Sequence, residues 1–169
     1  MPALAKFGVD QIRIWLAEVP DPEVPVVSVV DLGMIRNVEE TDDEIVVTIT
    51  PTYSGCPATQ VIALDIATAL HAHGAQKVRI VRQLSPPWTT DFLSPEARRK
   101  LQAYGIAPPI GEAAKTGLRE RLLGQPPDVP CPRCGARAAQ RISAFGSTPC
   151  KAQYVCRSCG EPFDYFKCI

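Results

Sequence analysis

The feature that most constrains this chain is a pair of C-x-x-C motifs near its end. Cys131 and Cys134 lie in "CPRCG", and Cys156 and Cys159 lie in "CRSCG". Each C-x-x-C turn can present two sulfurs to one ion, and four thiolates in a tetrahedron form a structural zinc site. Iron is an open alternative, because it also accepts four thiolates. The spacing predicts a metal-stabilised ribbon over residues 131–169, which explains how so short a segment holds together.

Three further cysteines lie outside the two C-x-x-C motifs. The chain has seven cysteines, and Cys56 is the single one in the first 130 residues. The odd number argues against a closed disulfide framework. The two C-x-x-C pairs favour metal ligation in a reducing compartment, and a pair of redox dithiols is the alternative for them. Cys150 and Cys168 are left over. They are interpreted either as packed thiols or as a second ligand or redox pair.

The charge balance narrows the class of partner. Eighteen basic and eighteen acidic residues cancel, so electrostatics give no case for nucleic acid or for an anionic membrane. Hydrophobic residues make up 46% of the chain, which is typical of a globular protein. There is no apolar run of spanning length, and the first residues lack the features of a signal peptide. We expect a cytoplasmic protein that binds neither nucleic acid nor membrane.

The N-terminal part alternates between helical and strand periodicity. Residues 9–19 have helical spacing with Asp10 as the expected cap, and residues 34–50 predict a β-hairpin. Residues 57–74 predict a second helix and residues 77–84 another strand. The order helix, strand, strand, helix, strand predicts an α/β (α+β) fold, in which a small mixed sheet is covered by helices.

Three segments follow from these patterns. Residues 1–106 are predicted to form one domain, which ends in a short helix from about Pro95 to Tyr104. Residues 107–130 are rich in proline, glycine and charge, which is typical of a linker, and "AAKTGLRERLLG" predicts one short helix within it. Residues 131–169 form the four-cysteine ribbon.

Cys56 lies at the joint between a predicted strand and a predicted helix, in "TPTYSGCPATQV". Pro57 is a favoured first residue of a helix, so Cys56 is predicted to be the cap. The unpaired N–H groups and the dipole at that end favour a thiolate. Ser54 and Gly55 would let the backbone approach a ligand closely. Both a reactive or metal-ligating thiolate and a small cysteine packed under a turn fit this pattern.

The acidic loop "DPEVPVVSVVDLG" and the cysteine motif together resemble the SufT-like family of small iron–sulfur assembly factors. The matching residues are Asp21, Pro22, Glu23, Pro25, Ser28, Asp31, Leu32 and Gly33, then Thr50, Pro51, Thr52, Gly55, Cys56 and Pro57. The resemblance covers about residues 8–85. It implies that Cys56 is the reactive thiol, which binds iron or a cluster transiently, with Asp21, Glu23 and Asp31 as supporting carboxylates. It also implies a homodimer and a role in maturing or delivering iron–sulfur clusters.

The C-terminal stretch "FGSTPCKAQYVCRSCGEPFDYFKCI" extends the resemblance. A SufT-like domain followed by this ribbon resembles the D-component family of multicomponent phenylacetyl-CoA epoxidases. The matching residues are Gly146, Ser147, Thr148, Cys150, Lys151, Cys156, Cys159, Glu161, Pro162, Phe163, Tyr165, Phe166 and Lys167. In that system a di-iron subunit performs the oxygenation, and a reductase with flavin and an iron–sulfur cluster supplies electrons. The resemblance implies an accessory component of phenylacetate catabolism, not itself catalytic, that loads clusters into the reductase and contacts the other subunits.

Other functions stay open at this point. The chain has neither a Glu-x-x-His pair for di-iron nor a Gly-rich nucleotide fingerprint. Its two histidines, His71 and His73, are two positions apart on a predicted helix and cannot share a metal. One alternative is an electron-transfer subunit whose ribbon cysteines hold redox-active iron, and another is a structural subunit of the oxygenase complex. The aromatic residues of the tail, within residues 163–166, are either a contact site or packed on the ribbon.

Overall fold

A computed structural model describes residues 6–167 and divides the chain after Trp88 into two compact units. The mixed α+β class predicted from the sequence is confirmed. The boundaries at residues 106 and 130 stay a prediction; the structure groups the helix that follows Ser94 with the second unit. The helices are α1 (Val9–Leu16), α2 (Thr59–Ala72), α3 (Pro95–Tyr104) and α4 (Ala113–Leu123), and the strands are β1 (Ile35–Glu40), β2 (Ile45–Ile49), β3 (Val78–Arg82), β4 (Ile106–Ala107), β5 (Ala139–Ser143), β6 (Lys151–Cys156) and β7 (Pro162–Phe166).

The first unit is built on a three-stranded sheet in the order β1-β2-β3. β1 pairs with β2 as the predicted antiparallel hairpin, and β2 pairs with β3 in parallel. Ile45, Val47 and Ile49 share one face of β2 and are buried, and Val46 on the opposite face is buried as well. β3 ends at Arg82, two residues before the predicted end of the strand, and Leu84 is exposed.

Two helices of the first unit bury the apolar positions that the helical spacing predicts. Ile12 and Leu16 of α1 are fully buried, as are Ile62, Ile66 and Leu70 of α2. Each set recurs three or four residues apart, so it lies on one face of its helix. The two predicted helices are confirmed, although Val19, predicted on the face of the first helix, lies after the end of α1, and Ala69, predicted on the face of the second, is half-buried.

The predicted cap of α1 is wrong. α1 begins at Val9 after Gly8, which has a φ of 85°, and Asp10 lies inside the first turn. The backbone N–H groups of Phe7 and Gly8 donate to the carboxylate of Glu40, at 2.7 and 2.8 Å. A carboxylate from β1 therefore accepts the hydrogen bonds of the backbone N–H groups at the start of α1. Local sequence rules do not predict this contact, because the two partners are far apart in the sequence.

The second unit holds a four-stranded sheet in the order β4-β7-β6-β5. Its core consists of Ala107, Val129, Cys131, Ala152, Tyr154, Cys156, Phe163 and Tyr165. The ring of Tyr154 stacks on Phe163 at 5.8 Å and meets Tyr165 edge-on at 5.7 Å. Burial raises the pKa of the Tyr154 hydroxyl to about 12. The aromatic residues of the tail are packed, so their alternative role as an exposed contact site is wrong.

An irregularity interrupts the pairing of the edge strand β5 with β6. Arg141 pairs with Tyr154 and Ser143 pairs with Gln153, so Ile142 has no partner of its own across the strand pair. Such a bulge bends the strand and turns the extra side chain outward. Ile142 is accordingly exposed.

The second unit also contains the helices α3 and α4, and both predictions for their positions are confirmed. The Ser94 hydroxyl accepts from the N–H of Ala97 at 2.9 Å and caps α3, which ends at Gly105 in the left-handed conformation. Within residues 6–167, no helix combines the length and the apolar character that crossing a membrane would need.

We predict opposite effects for two glycine substitutions. Gly105 has a φ of +96°, and a Cβ there would meet Arg133 Nη2 at 3.3 Å. Gly105→Ala should therefore lower the free energy of unfolding by about 1–2 kcal/mol. Gly117 lies inside α4 with nothing within 4 Å of its Cβ position, so Gly117→Ala should raise it by about 0.5–1 kcal/mol.

Urea unfolding followed by far-UV circular dichroism, at a fixed zinc concentration, measures both. Stabilisation by Gly105→Ala would contradict the conformation assigned to the end of α3.

Candidate metal centre and candidate reactive cysteine

The four cysteines of the two C-x-x-C motifs come together in the second unit. The Sγ atoms of Cys131 and Cys159 are 3.8 Å apart, and those of Cys134 and Cys156 are 3.7 Å apart. All four sulfurs lie within 4.8 Å of one another. The structure thus brings together the complete set that the spacing pointed to.

The first motif forms a tight knuckle. The N–H of Cys131 donates to the carbonyl of Ala136 at 3.0 Å, and the N–H of Gly135 donates back to the carbonyl of Cys131 at 2.9 Å. Gly135 has a φ of 74°, which favours glycine there. The N–H of Arg133 points at the sulfur of Cys131, at 3.4 Å. The turn therefore aims backbone donors at sulfur, which favours the thiolate.

The second motif repeats this arrangement. The N–H of Cys156 donates to the carbonyl of Glu161 at 2.9 Å, and the N–H of Gly160 donates to the carbonyl of Cys156 at 2.8 Å. Gly160 has a φ of 78°. The guanidinium of Arg133 in the first knuckle lies 3.5 Å from the Glu161 carboxylate, so an ion pair also links the two turns.

The donor set fits a zinc ion. Zinc–sulfur bonds of about 2.3 Å in a tetrahedron place the sulfurs about 3.8 Å apart, close to the two separations that the structure gives. Cys131 and Cys156 are buried, whereas Cys134 and Cys159 are exposed. Four thiolates and no open position form the donor set of a structural site. Such an ion would be held by these four side chains and would join the two knuckles.

The protonation of the cluster shows why a cation suits it. The backbone N–H of Cys159 outweighs burial and lowers the pKa of the Cys156 thiol to about 7. The backbone N–H of Glu161 favours the Cys159 thiolate, but contact with the Cys134 sulfur, partial desolvation and the other sulfurs raise the pKa of Cys159 to about 12. Sulfurs this close cannot all ionise by themselves, because their charges repel. A divalent cation removes that repulsion and deprotonates the thiols.

Of the two remaining cysteines of this region, Cys150 does not join the cluster. Cys150 is buried, and its sulfur lies 3.0 Å from the hydroxyl of Thr148. Its carbonyl accepts from the N–H of Lys167 at 2.9 Å, so its backbone ties the end of β7 to the start of β6. Cys168 lies outside the described residues. Whether these thiols form a second pair stays a prediction.

Cys56 lies in the first unit, just ahead of α2. The helix begins at Thr59, so Cys56 is not its cap, and the predicted start at Pro57 is two residues early. The carbonyl of Cys56 instead accepts from the N–H and the hydroxyl of Thr59, at 3.3 and 2.9 Å. The residue is 8% exposed, and Gly55 and Pro57 on either side are exposed. Its thiol is therefore nearly covered within a turn that itself lies at the surface.

The pairing of β1 with β2 brings the acidic loop and the cysteine turn to one end of the sheet. Ile35, where the loop enters β1, lies opposite Ile49, where β2 leads toward Cys56. The N–H of Thr50 donates to the carbonyl of Met34 at 2.9 Å and continues that contact past the strand ends. The two motifs that the sequence separates therefore leave the sheet side by side.

The carboxylates of the acidic loop bind its own backbone. Asp21 is buried, and its Oδ1 accepts from the N–H groups of Glu23 and Val24 at 2.9 and 2.8 Å. Asp31 is half-buried, and its Oδ2 accepts from the N–H of Ser28 at 3.0 Å, while the Ser28 hydroxyl accepts from the N–H of Asp31 at 3.1 Å. Glu23 is half-buried. Asp21 and Asp31 thus fix the loop conformation, a role that their sequence pattern did not indicate.

Two further residues belong to this end of the sheet and were missed. The indole N–H of the buried Trp88 donates to the carbonyl of Leu32 at 2.7 Å and ties the segment after β3 to the acidic loop. Thr50 is buried, and no hydrogen-bond partner of its hydroxyl is found among the described residues. No local sequence pattern predicts these roles for a tryptophan that follows two prolines or for a threonine at the end of a strand.

The two histidines lie at the other end of α2 and contact different groups. His71 Nδ1 donates to the carbonyl of Ala75 at 2.6 Å. The ring of His73 stacks on Trp15, with centroids 4.3 Å apart and planes 3° from parallel. They therefore have separate partners.

Two family models match the chain, one for each unit. The model described as "Iron-sulfur cluster assembly protein" matches residues 9–81. The model described as "PaaD zinc beta ribbon domain" matches residues 115–167, a range that begins within α4. The second match agrees with the four-sulfur geometry, and both agree with the resemblances drawn from the motifs.

Relatives with known names match at both full and partial length. A protein of Escherichia coli (strain K12), assigned as the D component of 1,2-phenylacetyl-CoA epoxidase, is 48% identical over 172 residues, covering 100% of both chains. The "Fe-S protein maturation auxiliary factor" of Porphyromonas gingivalis (strain ATCC BAA-308 / W83) is 39% identical over 94 residues, covering 54% of this chain and 88% of that protein. The crystal structure of a DUF59 domain from Bacillus anthracis superposes with a TM-score of 0.50 at 27% identity, covering 54% of this chain and 89% of that one.

We predict that Cys134→Ser removes the metal and unfolds the ribbon, whereas Cys150→Ser does not. Cys134 is exposed, so the substitution leaves packing intact and changes only the donor set. Cys150 is buried but lies outside the cluster, so its variant controls for the loss of a thiol. Elemental analysis should find one zinc per wild-type chain and per Cys150→Ser chain, and none in Cys134→Ser.

Hydrogen exchange of β6 and β7 provides the second readout. Full protection of these strands in a metal-free Cys134→Ser protein would show that the cluster does not hold the ribbon together.

Proposed function

Since the chain belongs to the family of the D component of phenylacetyl-CoA epoxidase, we propose that it is an accessory protein that matures or delivers iron–sulfur clusters. The client in this proposal is the reductase component, which carries flavin and a cluster. The observation that carries the proposal is the position of Cys56, beside the acidic loop at one end of the sheet, in a unit that matches iron–sulfur cluster assembly proteins.

The chemistry that this turn supports is transient ligation of iron as cargo. When the Cys56 sulfur binds iron it loses its proton, and when the client's own ligand displaces it the thiol takes a proton back, with no change of oxidation state. A thiol that is nearly covered but flanked by exposed Gly55 and Pro57 is shielded from other reactants and still reachable by a client loop. A single sulfur from this chain favours release, because the remaining ligands must come from elsewhere.

The acidic loop and Thr50 support the same proposal. The buried hydroxyl of Thr50 lies in the segment that leads to Cys56, and an unsatisfied buried polar group is rare unless a water or ligand serves it. A carboxylate has about four lone-pair sites, so Asp21 and Asp31 can hold the loop and still act on iron nearby. Glu23 completes the set of supporting carboxylates that we propose.

The zinc ribbon has a different role in this proposal. With zinc in a site of four thiolates and no open position, the ribbon serves in this proposal as a folded docking module and not as a redox centre. An electron-transfer subunit would need iron in that site. The partners that we propose are the reductase, the other epoxidase subunits and a second copy of the chain, which can pair through an exposed edge of the first sheet.

We predict that Cys56→Ser lowers cluster occupancy in the reductase. Co-expression of each variant with the reductase, followed by measurement of iron and acid-labile sulfide per reductase, tests this. Wild-type and Cys150→Ser chains should support equal occupancy, and Cys56→Ser should reduce it severalfold, because a hydroxyl is a poor ligand for iron at neutral pH. Full occupancy with Cys56→Ser would eliminate the proposed role of this thiol.

Occupancy that stays full when the whole chain is omitted would instead favour a structural subunit. Iron with sulfide in the anaerobically purified chain, bound by the ribbon, would favour electron transfer.

We predict that Asp21→Asn leaves the loop conformation intact but removes the negative charge of this side chain. The amide oxygen can still accept from Glu23 and Val24, so the melting temperature of the first unit should not change. The supporting charge is lost, so cluster occupancy in the reductase should fall. Asp21→Ala leaves the buried N–H of Val24 and the half-buried N–H of Glu23 without their acceptor, which costs about 1–3 kcal/mol, and should lower both quantities. Equal occupancy with Asp21→Asn and wild type would restrict Asp21 to its structural role.

A further inference from the structure

Helix α4 turns its leucine side chains away from the unit that holds it. On its inner side, Ala113 is buried, the Thr116 hydroxyl donates to the carbonyl of Ile110 at 3.0 Å, and Glu120 pairs with Arg141 of β5. On its outer side, Leu118 is 57% exposed and Leu122 is 73% exposed. The usual surface helix does the opposite and buries its leucines.

The two exposed leucines form one surface. They are four residues apart, so they lie one above the other on the same helical face. Leu123, next to them, is 57% exposed. Single exposed leucines are ordinary, but an aligned set on a helix whose described inner side chains are polar or small marks an interaction surface. We call Leu118, Leu122 and the flanking Arg119 and Arg121 the outer face of α4.

The charges around this face are unbalanced. Glu112 pairs with Lys115 at 2.9 Å, and Glu120 pairs with Arg141, so the carboxylates of α4 and of the residue before it are already neutralised. Arg119 and Arg121 are exposed, and the described part of the chain offers neither of them an ionic partner. Two uncompensated guanidinium groups therefore border the leucines, one on each side, in a chain whose net charge is zero.

The helix is held in place before any partner arrives. The Asp91 carboxylate accepts from the N–H of Ala113 at 3.1 Å at its start, and Gly124 ends it in the left-handed conformation. The bond from Glu120 to β5 fixes its middle. An isolated helix of this length is marginal in water, so these anchors present the outer face with little further loss of entropy on binding.

We propose that the outer face of α4 docks into an apolar groove, rimmed by carboxylates, on another subunit of the epoxidase system. Charge complementarity selects the carboxylates, and the leucine spacing selects a groove that takes side chains at i and i+4. The identity of the partner system rests on the proposed function. The surface itself does not involve Cys56 or the cluster.

Calorimetric titration of the full-length, zinc-loaded chain with each purified epoxidase subunit, reductase included, tests the proposal. One subunit should bind, and Leu118→Ser with Leu122→Ser should weaken its affinity by roughly tenfold or more. Arg119→Glu with Arg121→Glu should weaken it by a similar factor, and raising the salt from about 50 to about 500 mM should weaken the wild type.

Matched variants elsewhere on the surface serve as controls. Leu64→Ser replaces a leucine that is 66% exposed on α2, and Arg13→Glu with Arg82→Glu reverses two exposed arginines of the first unit. Both should bind like the wild type. Docking is thereby tested apart from cluster delivery, which the occupancy measurement with Cys56→Ser reports. Equal zinc content and melting temperature must accompany every variant.

Four results would overturn the proposal. Three of them are the absence of binding to every subunit, wild-type affinity in both outer-face variants, and a response of these variants only in binding to vesicles with anionic lipid or to RNA. Loss of self-association in the outer-face variants, measured by sedimentation, without any subunit binding would assign the face to a second copy of the chain and would also overturn it.

Discussion

The register between β1 and β2 is the constraint on which the first unit depends. Ile35 faces Ile49, and this pairing sets which residues of β2 enter the core and which two loops meet at the sheet end. A slip of one residue would turn the buried side chains of β2 outward, because side chains alternate along a strand. The same slip would separate the acidic loop from the cysteine turn. Core packing and the geometry of the candidate site therefore cannot vary independently.

The second unit reaches stability by a different route. Its apolar core is small and aromatic, centred on Tyr154, and two of its members are cysteines of the cluster. Cys131 and Cys156 thus pack as core residues on one side and offer sulfur on the other. The symmetric backbone bonds of the two knuckles prepare that arrangement, so the metal site and the core of the ribbon are one structure.

A structural feature could be predicted from the sequence when residues close together in the chain determine it. Period and spacing were enough for Ile62 and Ile66 in α2, and for the four ribbon cysteines, because each reflects the geometry of one element. The start of α1 was not predicted, because the carboxylate that accepts from the N–H groups of Phe7 and Gly8 belongs to Glu40 in another element.

The carboxylates of the acidic loop also have a role that could not be predicted from local sequence patterns. Asp21 and Asp31 were read as charges near a thiol, whereas their hydrogen bonds with neighbouring N–H groups depend on a loop conformation that no periodicity encodes. The capping role expected for Cys56 failed for a related reason: a turn over Pro57 and Ala58 precedes the first residue of α2, and helix ends are set within one or two residues by such turns.

The bulge at Ile142 affects how the ribbon can contact other proteins. β5 is the outer strand of the ribbon sheet, and a flat, regular outer strand offers a row of backbone groups to any other extended chain. The extra residue breaks that row and bends the strand, so successive groups no longer match a straight partner. The ribbon can therefore be crowded against many neighbouring proteins without acting as a seed for misassembly.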